Sequence, residues 1–408
     1  MDLDGGGTGP DGSTRLTSGA TRKVAAQSEA PHPGALRVAQ VAADHPAPLT
    51  AIRDQMAGAE LALVLLFVTP QADFRAVVQQ AEGQFGEADV LACTTAGELG
   101  QLGYEEGQIL AVGFPAALFS VRSYAIECLD RLDEQVVIDT AIQQRTALTR
   151  TAADQPWEFA FLMIDGLSLC EEHLTTLLAA GLGSMALFGG SSGDGTAFQQ
   201  TWLARNGVVL ENAALVALVR SSCPVHVFSL DHLQPTETRM VVTAADPERR
   251  VVQEINAEPA AAEYARLLGK DPNQLDPFIF AAHPVVVRLG DTHHVRAIRQ
   301  VNEAGELVFF SAINEGMVLT LAEPEDMAQH LDRELSGLVR ARGGVPQILA
   351  CDCVLRRIEA GQSQKTREVS GILRDRNVIG FSTYGEQLGA LHVNQTLTGV
   401  AIYPPPED

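Results

Sequence analysis

The feature that most constrains the fold is an unbroken apolar run at positions 61–68, which reads LALVLLFV and ends at Thr69 and Pro70. Its eight residues are far fewer than the roughly 18 to 20 that a membrane-spanning helix needs. Continuous apolarity over this length is typical of a strand that is buried on both faces of a sheet. The run therefore predicts a central strand of an α/β domain and not a membrane anchor.

The residues that follow this run continue the α/β pattern. Asp73 is a good N-cap for a helix over residues 73–83, where apolar residues recur at helical spacing, and residues 89–93 are predicted to form a second strand. Further strands are predicted at 108–114, 118–126, 158–164, 185–188 and 213–219, and helices at 131–153 and 170–182. Together they predict an α/β N-terminal domain with a mixed sheet over residues 35–255.

The pattern changes at residue 256. A short helix at 260–268 is followed by prolines and by two hairpin signals, and a longer helix is predicted at 325–342. Strands are then expected at 347–356, 378–381 and 395–403. These elements predict an α+β, largely antiparallel C-terminal domain over residues 256–404. Residues 1–34 are rich in Gly, Thr, Ser and Pro, and we expect them to be a disordered segment.

Charge and cysteine content narrow the range of partners and compartments. The chain has 29 basic and 51 acidic residues, a formal net charge of −22, which repels phosphate backbones and anionic lipid headgroups. Neither nucleic acid nor a membrane is therefore an expected partner. Six scattered cysteines do not resemble a disulfide framework, and no secretory signal is visible at the N-terminus. We expect a cytoplasmic protein with free thiols.

The first candidate ligand-binding segment is CTTAGE at positions 93–98, directly after a predicted strand. Ligands of α/β sheets bind at the carboxyl ends of strands, so its polar and backbone groups are candidate contacts. The candidate residues are Cys93, Thr94, Thr95, Gly97 and Glu98. A tight turn around a buried cysteine is an equally good interpretation of the same residues.

The second candidate segment is FGGSSGDG at positions 188–195, also after a predicted strand. Its glycines permit unusual backbone angles and a close approach of the backbone to a ligand. It lacks the Lys-Ser/Thr ending of a P-loop and does not match the dinucleotide fingerprint, so a phosphate cradle is not favoured. The candidate ligand-binding residues are Gly189, Gly190, Ser191 and Asp194.

The third candidate segment spans positions 380–396 and is unusually rich in polar side chains beside apolar strands. It contains Tyr384, Glu386, His392 and Asn394, which would be costly to bury unless paired with each other or with a ligand. Both alternatives stay open: a ligand site, or a polar network that satisfies itself and fixes the final hairpin.

Other reactive residues carry less functional signal. Cys351 and Cys353 face one side of a predicted strand, but a zinc site needs four ligands and no second cysteine pair exists, so packing is favoured. His293 and His294 fall in a predicted turn. No His-Glu-x-x-His motif is present, and the serines near glycine have no recognisable base at a motif spacing. No catalytic residue is therefore predicted, although an enzyme acting on a small metabolite stays an alternative.

Taken together and in order, these segments resemble the FIST family of bacterial sensory proteins. CTTAGE and FGGSSGDG resemble its FIST N region, and the FIST C resemblance rests on the segments at 256–269, 295–319, 350–359, 380–387 and 392–403. The resemblance implies a cytoplasmic module that binds a small ligand. No kinase, cyclase or receiver sequence is visible, so it also implies a separate signalling partner such as a histidine kinase.

Within that family, the segments at 232–236, 241–269, 351–357, 380–387 and 392–396 are most similar to the haem-containing, nitric-oxide-sensing NosP proteins, with Leu233 where an aromatic residue is expected. This resemblance implies haem b as cofactor and a gas as the sensed ligand. An imidazole must then reach the iron. His392 is the first candidate for that metal ligand and His232 the second, with Tyr384 and Asn394 as supporting residues. A sensor of an amino acid or a similar metabolite is the alternative.

Overall fold

The computed structural model describes residues 34–406, apart from residues 291 and 343. In the N-terminal part the strands are β1 (Arg37–Ala42), β2 (Leu61–Val68), β3 (Asp89–Thr94), β4 (Glu98–Gly100), β5 (Gly103–Glu105), β6 (Gln108–Pro115), β7 (Phe119–Glu127), β8 (Trp157–Ile164), β9 (Ala186–Ser191), β10 (Leu203–Arg205), β11 (Val208–Leu210), β12 (Ala213–Ser221), β13 (Val225–Leu230), β14 (Leu233–Asp246) and β15 (Val251–Ile255). In the C-terminal part they are β16 (Glu258–Pro259), β17 (Val285–Leu289), β18 (Thr292–Arg296), β19 (Ile298–Val301), β20 (Leu307–Phe309), β21 (Val318–Pro324), β22 (Gln347–Cys353), β23 (Val378–Thr383), β24 (Glu386–Leu388), β25 (Leu391–Val393) and β26 (Leu397–Ile402).

Helices connect and cover these strands. They are α1 (Pro48–Gln55), α2 (Phe74–Ala81), α3 (Glu134–Thr151), α4 (Glu171–Leu182), α5 (Ala260–Leu268), α6 (Pro277–Ala282), α7 (Met327–Arg342), α8 (Val354–Gln362) and α9 (Thr366–Asp375). Asp73 caps α2 as the sequence predicts, because its side chain accepts a hydrogen bond from the amide of Ala76. The elements predicted at 61–68, 73–83, 89–93 and 260–268 are all confirmed, with ends that differ by a few residues at most.

Three six-stranded mixed sheets form most of the molecule. Their strand orders are β1-β6-β2-β3-β10-β11, then β25-β24-β9-β8-β12-β7, then β13-β26-β22-β23-β4-β5. Each of these sheets contains one parallel pair of strands whose connection is helical. The pairs are β2 with β3, β8 with β9, and β22 with β23. A fourth sheet, of eight strands, is antiparallel. The prediction of an α/β N-terminal part and an α+β, largely antiparallel C-terminal part is confirmed.

The three mixed sheets share one apolar core. Phe67 of the first sheet stacks on Phe381 of the third, with ring centroids 4.5 Å apart, and Phe161 and Phe188 of the second sheet pack in the same cluster. Because aromatic side chains bury large apolar areas, this cluster holds the sheets in fixed positions. Separate apolar clusters seat α1 and α2 on the first sheet and α3 and α4 on the second.

The strand predicted at 347–356 is wrong at its end. Strand β22 stops at Cys353, and residues 354–357 already belong to helix α8. The next helix, α9, lies between the predicted strands at 347–356 and 378–381, where no element was predicted. Neither helix begins with a side-chain cap, since Cys353 and Lys365 make no capping hydrogen bond, so the usual start signals are missing. The disordered segment expected at 1–34 falls almost entirely outside the described residues.

Candidate functional site

A cleft of about 680 Å³ opens where the parallel strand pairs end. Thr69 follows β2, Ala96 follows β3, Gly195 lies in the loop after β9, and Val354 follows β22. Side chains from the hairpin of β4 and β5 and from helices α6, α8 and α9 complete its walls. A cavity of this size suits a small molecule, and its position at carboxyl ends of strands is the usual one in α/β folds.

Arg357 on helix α8 is the only basic side chain among the described residues that line this cleft. Its guanidinium donates to the carbonyl of Glu105 at 2.8 Å and contacts the exposed carboxylate of Glu106 at 3.2 Å. It also lies over the ring of Tyr104, 5.2 Å from the centroid. An exposed carboxylate neutralises a cation only weakly, because solvent screens the pair. The ion-pair partner of Arg357 among the described residues is thus an exposed carboxylate at the cleft wall.

Gly97 explains how Arg357 reaches the CTTAGE turn. Its φ is +131°, which disfavours other residues, and a Cβ at this position would lie 2.3 Å from Nη1 of Arg357. A side chain here would displace the guanidinium. Among the predicted ligand-binding residues, Gly97 lines the cleft. Its lack of a side chain leaves room for the guanidinium of Arg357.

The other residues of the CTTAGE turn hold the turn together. Oγ1 of Thr94 accepts from the amide of Trp202 at 3.0 Å, and the hydroxyl of Thr95 donates to Glu98 at 2.6 Å. Burial raises the pKa of Glu98 to about 7, although hydrogen bonds from Thr95 and the amide of Gln108 oppose this. Cys93 lies in the apolar core, where burial raises the pKa of its thiol. These contacts are those of a tight turn around a buried cysteine.

The predicted residues of the FGGSSGDG segment also make contacts within the fold. A Cβ on Gly189 would lie 2.1 Å from the carbonyl of Leu162, and one on Gly190 would clash with Thr383, so both glycines serve close packing of strands. Ser191 accepts a hydrogen bond from Gln387 at 3.1 Å. The carboxylate of Asp194 organises the loop over residues 194–200, because it accepts from the amides of Phe198, Gln199 and Gln200 and from the hydroxyl of Tyr384.

The polar residues at 380–396 form a buried network. The carboxyl group of Glu386 is hydrogen-bonded to the hydroxyls of Thr383 and Thr396, and Asn394 accepts from Ser311 at 3.1 Å. Burial raises the pKa of Glu386 to about 8. The alternative of a self-satisfied network therefore accounts for Glu386. It does not account for Nε2 of His392 or Nδ2 of Asn394, which have no partner among the described residues.

His232 belongs to a chain of buried polar contacts beneath the cleft. Arg356 donates to Asp352 at 2.7 Å and to Nδ1 of His232 at 2.9 Å, and Nε2 of His232 contacts Glu359 at 2.8 Å. Tyr104 donates to the other oxygen of Asp352 at 2.5 Å. Because a guanidinium can only donate, Nδ1 accepts and the proton sits on Nε2. Both nitrogens of His232 are thus engaged and none is free for an iron.

At His392 the structure has no open slot of the kind that a porphyrin needs. The imidazole of His392 is buried against Gly385, where an added Cβ would lie 2.2 Å from Cε1 and 2.7 Å from Nε2 of the ring. A porphyrin needs an open slot on the ligating nitrogen. No histidine lines the large cleft, and the described residues hold no cluster of three or more metal-ligating side chains. Haem binding through His392 would require the hairpin of β24 and β25 to move.

Comparison with protein families agrees with this geometry. The FIST N domain model matches residues 62–258, which supply the strand ends on one side of the cleft, and the FIST C domain model matches residues 260–388, which supply α8. The chain belongs to the FIST family. FIST domains are sensor domains of signal transduction that bind small ligands. No curated protein matches this FIST chain.

Sequence reasoning missed the residues that give the FIST cleft its chemistry. Arg357 lies just beyond the strand predicted at 347–356 and was considered only as part of the CDCVLRR segment, and Tyr104 and Phe278 were not singled out. Arg357 contacts the carbonyl of Glu98, which is 259 positions away in the sequence, so no local sequence pattern links the two residues. Among the described helices of this FIST chain, none has both the length and the apolarity to cross a membrane.

Proposed function

We propose that this protein is a sensor for a small carboxylate-bearing metabolite of amino-acid size, and that the cleft at Arg357 is its ligand site. The observation that carries the proposal is the cleft itself, which combines about 680 Å³ of space with a guanidinium at one wall. Guanidinium groups form strong charge-assisted hydrogen bonds with carboxylates. With a chain charge of −22, long-range attraction does not collect anions, so recognition depends on this local group.

The remaining walls favour a ligand that also has neutral parts. Phe278 is 55% exposed although it is large and apolar, and it lines the cleft together with Val354 and Ile358. Amide and hydroxyl groups are supplied by Gln71 and Thr196. The matching ligand has a carboxylate at Arg357, an apolar side chain toward Phe278 and a polar group toward Gln71 and Thr196. An amino acid or a 2-oxo acid has these three parts.

Replacing Arg357 by Gln should weaken the binding of such a ligand by about tenfold to a hundredfold, because one charge-assisted hydrogen-bond pair is lost. The measurement is calorimetry on the full chain, first with each of the twenty common amino acids and their 2-oxo acids. The carboxamide of the best ligand should bind wild-type protein as weakly as the acid binds the variant.

Arg374→Gln is the matched control, since Arg374 lies exposed on α9 and pairs only with its neighbour Asp375 among the described residues. Equal affinity of wild type and Arg357→Gln for every ligand that binds would show that the cleft is not the site. Absence of binding by all of these acids would reject this ligand class.

The signalling output, in this proposal, is a separate protein such as a histidine kinase. Helix α8 supports this step, because it carries Arg357 in the cleft and, on its buried side, Arg356 and Glu359. Ligand contact at Arg357 thus acts on a helix that is tied to the core. A kinase whose autophosphorylation rate is the same with this protein in its ligand-free and ligand-saturated forms would not be the partner.

Haem-dependent nitric oxide sensing is the second candidate, and the unpartnered Nε2 of buried His392 is the observation that favours it. In that case the reconstituted protein binds about one haem per chain and shows a Soret band. The band shifts when nitric oxide is added to the ferrous form. His392→Ala should abolish the band, whereas His293→Ala should leave it unchanged. Wild-type protein without a Soret band after reconstitution would eliminate this candidate and leave the carboxylate sensor untouched.

A further inference from the structure

A second pocket, of about 140 Å³, lies at the junction of the FIST N and FIST C segments. It shares no lining residue with the cleft. Leu167 and Leu169 after β8 and Phe198 in the loop after β9 form its FIST N side, while Arg299 of β19 and Phe310 after β20 form its FIST C side. We call it the junction pocket.

Arg299 brings an unpaired positive charge to the junction pocket. Its guanidinium lies over the ring of Phe198, 4.9 Å from the centroid, and it makes no hydrogen bond or ion pair with the described part of the chain. The nearby carboxylate of Asp194 is already used by three amides and a tyrosine hydroxyl. Burial lowers the pKa of Arg299, and the nearby Tyr384 and Asp194 oppose this shift only in part.

The other arginine of the junction pocket is neutralised. Arg250 contacts the carboxylate of Glu171 at 2.5 Å and that of Glu172 at 2.7 Å, and it donates to the carbonyl of Phe310. Its charge is therefore matched by acidic groups before any ligand arrives. Arg299, in contrast, has no carboxylate in hydrogen-bonding contact among the described residues.

The backbone around Arg299 is built to aim this side chain. The pairing of β19 with β20 shifts register between Ile298 and Gln300, so Arg299 occupies a β-bulge. Bulges redirect a side chain out of the regular alternation of a strand and are frequent beside functional sites. The guanidinium consequently points toward the FIST N loops.

Strained backbone lines the opposite wall. Phe198 and Leu169 have φ values of +54° and +60°, in the left-handed region that large side chains rarely adopt. Phe198 is held there by stacking on Tyr384, with centroids 4.3 Å apart, and by the hydrogen bond of its amide to Asp194. Such conformations cost free energy and cluster at ligand sites, where the surrounding structure fixes them.

We propose that the junction pocket is a second ligand site, which binds a small monocarboxylate with a short apolar chain through Arg299. The free guanidinium selects the carboxylate, and the leucine and phenylalanine side chains select an apolar remainder. A volume of about 140 Å³ holds roughly five water-sized groups, which matches propionate. The site is distinct from the cleft at Arg357 and does not depend on what the cleft binds.

The test is a ligand-observed NMR titration of the full chain with sodium propionate at constant ionic strength. Propionate should bind wild-type protein at least tenfold more tightly than propionamide, its uncharged isostere. Arg299→Gln should reduce propionate affinity at least tenfold, and Arg299→Lys should reduce it less because the charge is kept. Arg374→Gln should leave propionate affinity unchanged, since Arg374 is exposed on α9 and lines neither cavity.

A second variant keeps the test informative if Arg299→Gln does not fold. Leu169 is 47% exposed, so Leu169→Glu should fold normally while it places a carboxylate beside Arg299 and excludes propionate. Leu102→Glu, at a 66% exposed site between β4 and β5, is the matched control and should bind as wild type does. The proposal is overturned if wild-type protein does not prefer propionate to propionamide, if Leu169→Glu binds propionate normally, or if Arg299→Gln binds propionate as tightly as wild type does.

Discussion

Replacing Arg356 by Met should lower the free energy of unfolding by about 3–5 kcal/mol, because the carboxylate of Asp352 would stay buried without its cation. Both side chains of this pair are only 1% exposed, and their atoms lie 2.7 Å apart. Nδ1 of His232 would also lose its donor. Urea denaturation of wild type and variant, monitored by circular dichroism, measures the difference.

The neighbouring arginine gives the control for this prediction. Arg357→Met removes a cation whose ion-pair partner, Glu106, is 72% exposed, and it should cost about 1 kcal/mol or less. Adding Asp352→Asn to Arg356→Met should recover part of the lost stability, since the uncompensated charge is then gone. A double variant no more stable than Arg356→Met, or equal losses for the two arginines, would show that burial of the Asp352 charge is not what Arg356 offsets.

The contrast between these two adjacent arginines shows what the sequence could not supply. The letters CDCVLRR carry apolar and polar residues in an order that fits either a strand or the start of a helix. Only the tertiary structure places Arg356 in the core and Arg357 in the cleft, because α8 begins at Val354 and turns the two side chains apart. The cleft was predictable as a location at strand ends, but the guanidinium within it was not.

The strands were easier to predict than the site for a physical reason. LALVLLFV must be buried on both faces wherever it lies, so its own composition determines its role. The residues at 380–396 can satisfy their polar groups in several ways, and the outcome depends on Ser311 and Ser191, which are remote in sequence. The bulge at Arg299 and the left-handed Phe198 likewise arise from long-range packing, and no local signal marks them.

The buried carboxyl group of Glu386 should make the protein less stable as pH rises from 5 to 8. Desolvation, with a smaller contribution from the charge of Asp352, raises its pKa from 4.5 to about 8, although hydrogen bonds with Thr383 and Thr396 oppose the shift. The folded protein therefore keeps this proton up to about pH 8, whereas the unfolded chain releases it near pH 4.5. Between these values the unfolded state binds fewer protons, so stability falls with rising pH.

The size of the effect follows from the shift of this pKa. Each unit is worth about 1.4 kcal/mol, so Glu386 alone should cost about 3–4 kcal/mol of stability between pH 5 and pH 8. Glu98, with a pKa raised to about 7, adds a smaller loss in the same direction. Above pH 8 the contribution of Glu386 should level off, because both the folded and the unfolded protein then carry the charge.

Glu386→Gln tests this directly, because an amide keeps a similar shape and cannot ionise. The variant should match wild type to within about 1 kcal/mol at pH 5 and exceed it by about 3 kcal/mol at pH 8.5, measured by urea denaturation at each pH. Glu368→Gln, at an exposed position on α9, is the control and should reproduce the wild-type profile. A constant difference between Glu386→Gln and wild type across this range would mean that Glu386 is already ionised in the folded protein at pH 5, and the buried network would then have to hold a carboxylate instead of a carboxylic acid.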